Sequence, residues 1–337
     1  MSKPRSLYLC RTPFQLLLCQ EIVAQYPEEE AELLYITDIN GPKDHAYFEA
    51  ARTLFTKSHY RVRQSNTDIL AFVLGPGRRM ARRYDAIALG NHTLSHFRYV
   101  ITRNPGAEIR SFDEGCGNFN VTGALHNDPR NRTERLRDQV LRIPPIAEVF
   151  ARSAAHFTVN ATLRNVVPSE RLRQIDLIKL APGRGGDRAP INLVIGHPFE
   201  EHVDTEHRTL MLGALRALSS GHYVMHPREK PRDEPLAALD LIQDDPRILE
   251  HYVRDLVAAG HRVRLIGSLS TVFFTVNSPA VEKYYLHLMP EDGFLGLARQ
   301  VGCMVFDLHD PVGLKHWHET AAAWADADRG DARAAAL

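Results

Sequence analysis

The chain has 337 residues, 44% of them hydrophobic and 24% charged, and its 41 Lys and Arg balance 41 Asp and Glu at neutral pH. That profile excludes a disordered or fibrous chain, provides no overall basic charge for nucleic acid, and is long for one hydrophobic core, so two domains are expected. No apolar stretch reaches the roughly 18 to 20 residues of a membrane span, and Arg11, Gln15 and Gln20 interrupt the apolar N-terminus with no small-residue cleavage site after it, so the sequence reads as cytoplasmic.

Ser6 to Cys10 is a short apolar run that reads as a strand. Thr12-Pro13 then opens an amphipathic helix reaching Tyr26, with Thr as N-cap and Pro at the first helical position. Strands follow at Glu32 to Thr37, Tyr60 to Gln64, Asp85 to Leu89 and Glu108 to Phe112. Between them lie helices over Ala46 to Phe55, Asp68 to Arg83 (broken near Gly75-Pro76-Gly77) and Leu94 to Thr102. This alternation argues for βαβ units around a parallel sheet, whose ligands gather outside the carboxyl ends of the strands.

Asn127 to Ile143 reads as a surface loop passing into a polar helix, and His156 to Asn160 and Ile175 to Leu180 are apolar again. Ala181 to Asp187, rich in glycine, is the linker candidate, dividing an N-terminal domain (1–180) from a C-terminal one (188–320). The second half repeats the rhythm. Strands are expected at Ile191 to Ile195, His222 to Met225, His261 to Ile266, Tyr284 to Leu288 and Cys303 to Leu308, and helices at His207 to Leu218, Asp245 to Ala259, from Ser270, and at Asp292 to Val301. The stretch from Ala321 to the end (321–337) is either a helix packing back on the body or a frayed tail. No internal repeat is visible.

Cys10, Cys19, Cys116 and Cys303 show no CxxC spacing and read as buried thiols, not as a metal site or disulfide framework. The basic runs Arg78 to Arg83 and Arg130 to Arg137 read as solvated helix faces, the alternative being contact with an anionic membrane surface or a phosphorylated acceptor.

Four short motifs could carry chemistry. In Asp113-Glu114-Gly115 the adjacent carboxylates point apart if the backbone is extended, and Gly115 permits the positive φ of a sharp turn; a turn in which Asp bonds its own backbone is the plainer alternative. His226-Pro227 also follows a strand-like run, and an imidazole there can donate a hydrogen bond or a proton to a departing phosphate, although any one of 17 histidines is as readily structural. The charged residues after it, Arg228, Glu229 and Lys230, read equally as solvated surface. Gly267-Ser268-Leu269-Ser270-Thr271 precedes a helical segment, where hydroxyls and free N–H groups suit a phosphate, or where Ser270 is simply an N-cap. Glu250 could bond both ribose hydroxyls, or only complement a helix dipole.

In this order the motifs resemble those of the bacterial sialyltransferases with two Rossmann-like domains (the GT-B arrangement), most closely the lipooligosaccharide sialyltransferases of glycosyltransferase family 52. The family's D/E-D/E-G motif is similar to Asp113-Glu114-Gly115, its HP motif to His226-Pro227, its paired Ser/Thr motif to Ser270-Thr271, and its N-terminal C-x-T-P-x-Q stretch to Cys10 through Gln15. The resemblance implies an α/β GT-B fold with two doubly wound parallel sheets facing a central cleft. It implies inverting, metal-independent transfer of sialic acid from CMP-sialic acid to a hydroxyl of a lipooligosaccharide or capsule glycan. Asp113 would be the general base, and His226 would assist the leaving phosphate across the cleft. Pro227, Gly267, Ser270 and Thr271 would hold the donor phosphate and Glu250 the ribose, with Thr12, Pro13, Gln15, Asn91, Glu114 and Gly115 lining the substrate cleft. No cofactor beyond the donor is implied; a peripheral contact with the inner membrane face and a homodimer are compatible with it. The sequence departs from the DDG form of some members, so a different donor sugar, polysialic acid extension, or a non-catalytic nucleotide-sugar-binding protein stand as alternatives.

Overall fold

A computed structural model describes residues 3–65, 68–120, 123, 125–128, 130–177, 188–197, 204–226, 229, 236–243, 245–268, 270–288 and 294–334, with side chains to 327. The chain divides into two compact units, Met1–Leu177 and Ile178–Leu337.

In the first unit β1 (Arg5–Cys10), β2 (Glu30–Thr37), β3 (Lys57–Val62), β4 (Ala86–Leu89), β5 (Glu108–Phe112), β6 (Ser153–Thr158) and β7 (Leu172–Gln174) form a parallel sheet in the order β3-β2-β1-β4-β5-β6-β7. Around it lie α1 (Pro13–Val23), α2 (Pro42–Arg52), α3 (Asp68–Leu74), α4 (Pro76–Arg79), α5 (Ser95–Arg103), α6 (Arg132–Val140) and α7 (Ile146–Arg152). Leu7, Tyr8, Leu9 and Cys10 of β1 are all wholly buried. A strand covered on both faces reads as an unbroken apolar run and not as an alternation. On one face Leu7, Leu9, Ile36 and Leu89 join Phe72 of α3 and Phe97 and Val100 of α5 in one core. On the other, Tyr8 meets Phe55 edge-on at 5.4 Å and Tyr35 packs on Phe48 of α2. Thr12 caps α1 by accepting the Gln15 N–H at 3.3 Å, with Pro13 opening the helix, as the sequence predicts.

In the second unit β8 (Arg188–Ile195), β9 (His222–Val224), β10 (Asp240–Ile242), β11 (His261–Gly267), β12 (Val281–His287) and β13 (Met304–Asp307) form another parallel sheet, in the order β10-β9-β8-β11-β12-β13. Its helices are α8 (Thr205–Leu215), α9 (Leu249–Ala258), α10 (Val272–Thr275), α11 (Leu295–Gln300) and α12 (Pro311–Ala334). In both units the first strand lies inside the sheet and the order reverses beside it, the doubly wound pattern expected from the alternation.

Several boundaries differ from the sequence reading for local reasons. Helix α9 begins at Leu249 and not at Asp245, because the Asp245 carboxylate accepts the Arg247 N–H at 2.8 Å and its guanidinium at 2.5 Å, a side-chain turn that competes with helix. The C-terminal segment is a helix from Pro311, ten residues earlier than Ala321. Trp317 is wholly buried and its indole N–H donates to the Ala214 carbonyl at 2.8 Å, while the Arg264 guanidinium lies 4.6 Å over the Trp324 ring. Of the basic runs, Arg78, Arg79 and Arg82 are exposed as read, but Arg130 and Arg137 turn inward onto the buried Asp138. Cys10, Cys19 and Cys303 are buried and Cys116 half-buried, all as free thiols. Among the described residues no helix is long and apolar enough to cross a membrane. The linker candidate and Pro227, Arg228 and Lys230 lie outside the described residues.

Candidate active site

The carboxyl ends of β1, β4 and β5 meet where the strand order of the first unit reverses, the place at which doubly wound sheets bind ligands. β1 leads into Arg11 and Thr12-Pro13, β4 into Gly90-Asn91, and β5 into Asp113-Glu114-Gly115.

Asp113, expected as the open carboxylate, instead turns wholly into the core. Its Oδ1 lies 3.0 Å from His156 Nε2, and its Oδ2 accepts from the Thr158 hydroxyl at 2.9 Å and from the Val159 N–H at 2.8 Å. With Nε2 donating to the carboxylate, Nδ1 of the same imidazole accepts the Ser111 hydroxyl at 2.8 Å. This chain ties β5 to β6 and holds Asp113 with no exposed surface.

Glu114, next along an extended backbone, faces the other way. Its Oε1 accepts from the Asn91 amide, and its Oε2 is buried without a hydrogen-bond partner. Asn91 cannot turn its oxygen toward Glu114, because that oxygen accepts the Leu94 N–H at 2.8 Å and the Thr93 hydroxyl at 3.1 Å. Burial pushes the Glu114 pKa up to about 7, against the charge of Arg11 and hydrogen bonds from the His92 backbone and Asn91. A carboxyl group that titrates near neutrality and has one unengaged oxygen has the properties of a general base. Gly115 takes φ 119°, ψ −144°, a backbone region open essentially to glycine, and the chain turns at once into a short 3₁₀ segment, Cys116–Asn118.

The neighbouring turn is fastened from below. Gln15 is wholly buried, and its side-chain oxygen accepts the Arg11 N–H at 2.8 Å. A Cβ on Gly90 would stand 2.3 Å from the Phe112 ring and 3.0 Å from the Gln15 amide carbon, so only glycine lets β4 end this close to them. Arg11 grips Asp38 through two bonds, at 2.5 and 3.2 Å. Burial opposes ionisation of Asp38, but Arg11 and Arg63 outweigh it and hold the pKa at about 2.

In the second unit the strand order reverses between β8 and β11. His226 is half-buried just beyond β9, and its turn is clamped by Glu229. That carboxylate accepts the His226 N–H at 3.2 Å and the Tyr223 hydroxyl at 2.8 Å, while the Glu229 N–H returns to the His226 carbonyl at 2.9 Å. Glu229 is therefore buried framework and not solvated surface. Gly196, at the end of β8, admits this turn: a Cβ there would lie 2.4 Å from Glu229 Oε2 and 2.6 Å from the His226 nitrogen.

Gly267 ends β11 against Ile195, and Thr271 occupies the N-cap position of α10 without a capping side-chain bond. Ser270 and Thr271 are both half-buried. Glu250, in the first turn of α9, is buried and accepts the Thr275 hydroxyl of α10 at 3.3 Å, which draws it toward the Ser270-Thr271 turn. Gly267, Ser270, Thr271 and Glu250 thus share one neighbourhood. Among the described residues no three His, Cys, Asp or Glu side chains converge as metal ligands.

Sequence reasoning passed over Arg11, Gly90 and the Gly196-His197 turn. For the last a signal existed: Gly196-His197-Pro198 ends an apolar run with the same His-Pro pair as His226-Pro227.

The model of glycosyltransferase family 52 matches residues 34–291. The chain belongs to that family. This family 52 enzyme is 23% identical over 256 residues to a CMP-N-acetylneuraminate:beta-galactoside alpha-2,3-sialyltransferase of Pasteurella multocida (strain Pm70), a match covering 74% of this chain and 80% of that protein. It is 22% identical over 312 residues to an N-acetyllactosaminide alpha-2,3-sialyltransferase of Neisseria meningitidis serogroup A, covering 87% and 82%. Among solved structures it is similar to the alpha/beta-galactoside alpha-2,3-sialyltransferase of Photobacterium phosphoreum, with a TM-score of 0.53 at 11% identity over 89% of this chain and 95% of that one. The family 52 enzyme has the two Rossmann-like domains of GT-B glycosyltransferases, the fold that the sequence motifs implied.

Proposed function

We propose that this protein transfers sialic acid from CMP-sialic acid to a hydroxyl of a galactose-bearing glycan, with inversion and without a metal ion. The observation that carries the reading is Glu114: a carboxyl group at the ligand-binding edge of its sheet, its pKa pushed up to about 7, with one oxygen unengaged. Two relatives named for alpha-2,3-sialyl transfer support the donor and the galactoside acceptor.

In the proposed reaction Glu114 Oε2 takes the proton of the acceptor hydroxyl as that oxygen bonds to the anomeric carbon of the sugar. The bond from that carbon to the phosphate oxygen breaks, its electrons leave with CMP, and His226 donates a hydrogen bond or proton to the phosphate. Ser270, Thr271 and the backbone at Gly267 would face the phosphate, and Glu250 the ribose. CMP departs with a single phosphate, whose charge hydroxyls and an imidazole can offset without a divalent cation. Asp113 serves as a positioning residue: by fixing β5 to β6 it sets which way Glu114 points.

Incubation with CMP-N-acetylneuraminate and lactose tests the reading, with CMP release followed by chromatography and the product by mass spectrometry. A sialylated product carrying the configuration opposite to the donor's is expected. Absence of both CMP release and product with every galactoside offered would overturn it, as would turnover of a UDP-sugar in place of the CMP donor.

A further inference from the structure

In the first unit a hollow of about 90 Å³ is lined by Arg11, Arg63, Ser95, His96, Arg137 and one carboxylate, Glu134, together with Thr93 and Leu94. Its lining is tied to the proposed base through two sets of residues. Arg11 acts on the Glu114 charge, and Thr93 and Leu94 hold the Asn91 that bonds Glu114. A larger hollow, about 370 Å³ around Pro105, Pro144 and Pro145, lies at the other end of α5 and has no such tie.

Two observations point to a ligand in the smaller one. First, guanidinium groups outnumber the carboxylates that hold them. Asp38 is shared by Arg11 and Arg63, and Asp138 by Arg98, Arg130 (which Asp128 also holds at 2.6 Å) and Arg137, whose guanidinium also donates to the Ser95 hydroxyl at 2.8 Å. Of the other acidic groups nearby, Asp68 pairs through one oxygen with Arg61 at 2.6 Å and turns the other, which has no hydrogen bond, toward His96, and Glu134 accepts the Asn131 N–H in the cap of α6. Second, His96 is 2% exposed and neither of its ring nitrogens has a hydrogen-bond partner; the Asp68 oxygen facing it stands 3.9 Å away. A buried imidazole left without a partner is costly unless something bound at the site meets it. Burial, aided by Arg61, Arg63 and Arg137 against the pull of Asp68, brings its pKa down to about 4, so it is a neutral ring with one N–H to give.

We propose that this hollow is a subsite for a small anionic group, carboxylate or phosphate, carried by the acceptor glycan close to the hydroxyl that receives the sugar. The inference rests on the reading of Glu114 as the base that meets that hydroxyl. Guanidinium pairs suit either anion, through two parallel N–H bonds to its oxygens. The enzyme would then prefer an acceptor bearing a negative charge to the neutral galactoside.

Three acceptors with the same terminal galactose test this: one neutral, one with an adjacent sugar carboxylate, one with an adjacent phosphate monoester. At least one anionic acceptor should exceed the neutral one in kcat/KM by about tenfold or more, mainly through KM, the scale of one charge-assisted hydrogen bond pair. Which of the two gains identifies the anion. Arg63→Gln should shrink that ratio severalfold, Arg63→Lys should shrink it less, and inorganic phosphate should inhibit the wild-type enzyme competitively against the anionic acceptor. Equal kcat/KM for the three acceptors overturns the proposal, as does a ratio that survives Arg63→Gln, or absence of phosphate inhibition in the wild type should the variants not fold. A raised donor KM in Arg63→Gln with the acceptor ratio intact would also overturn it, assigning the charge to the donor's own carboxylate. If no acceptor gives product and no CMP is released, it is the sialyltransferase reading that fails instead.

Discussion

Replacing Glu114 by Gln keeps the shape of the side chain and its hydrogen bond with the Asn91 side chain within reach but removes the group that ionises. The folded-state pKa of about 7 stands above the ordinary value of 4.5, a gap worth about 3 kcal/mol between the two protonation states at most. Because the folded value is the higher one, the wild-type protein has this stability in full below pH 4.5 and loses it as pH rises through about 7. Glu114→Gln carries no such loss. Its stability relative to wild type should therefore grow by about 2 to 3 kcal/mol between pH 4.5 and pH 8, measured by urea unfolding at each pH. Its kcat at pH 8 should fall by about 10²- to 10⁴-fold, since a carboxamide cannot accept the proton. The wild-type rate of CMP release should climb with pH to a plateau, with a midpoint near 7, and the residual rate of the variant should lack that limb. A variant that turns over like wild type, or a stability difference that does not widen with pH, would refute the reasoning.

Asp113→Ala removes an acceptor from His156, Thr158 and the Val159 N–H together, so a loss of roughly 3 to 5 kcal/mol is expected in urea unfolding, with activity falling as the folded fraction falls. His226→Ala should lower kcat by about 10²- to 10⁴-fold while the unfolding midpoint stays close to wild type, since the Glu229 bonds to the backbone of that turn survive the substitution; a large shift in midpoint would assign His226 to the framework. Excess EDTA should leave the rate of transfer unchanged, and a strong loss restored by added divalent cation would replace the metal-free donor site. Trp317→Ala should cost about 3 to 5 kcal/mol, which calorimetry of the whole chain would register; a cost below about 1 kcal/mol would mean that α12 is dispensable to its unit.

Placement of the motifs at strand ends was legible because strands of a parallel sheet covered on both faces are unbroken apolar runs, as in Leu7 to Cys10, and each run stops where the polar motif begins. The Thr12-Pro13 cap and the positive φ of Gly115 were legible because each follows from the stereochemistry of a single residue. Which of Asp113 and Glu114 turns inward was not. It is decided by His156, Thr158 and Val159, more than forty residues away in sequence, through hydrogen bonds that no local pattern encodes. The role of Glu229 stayed open for the same reason, since in the sequence it is one charge in a charged stretch and in the fold it accepts from Tyr223 and His226. The edge strands β7 and β10, three residues each, are too short to show a period of two, and α7 follows directly on a Pro-Pro pair that reads as loop.

The inward carboxylate works as a gauge of length. At Asp113 the two oxygens reach three donors fixed to a neighbouring strand, at 2.8 to 3.0 Å, and one more methylene would carry them past all three. The outward position bonds the side-chain amide of Asn91 through one oxygen and keeps the other without a hydrogen-bond partner, so a shorter acid there would spare the framework but draw the proposed base back from its substrate. Two adjacent acidic residues that look interchangeable are thus held to their lengths for different reasons, the first by the strand it must grip and the second by the distance it must cover.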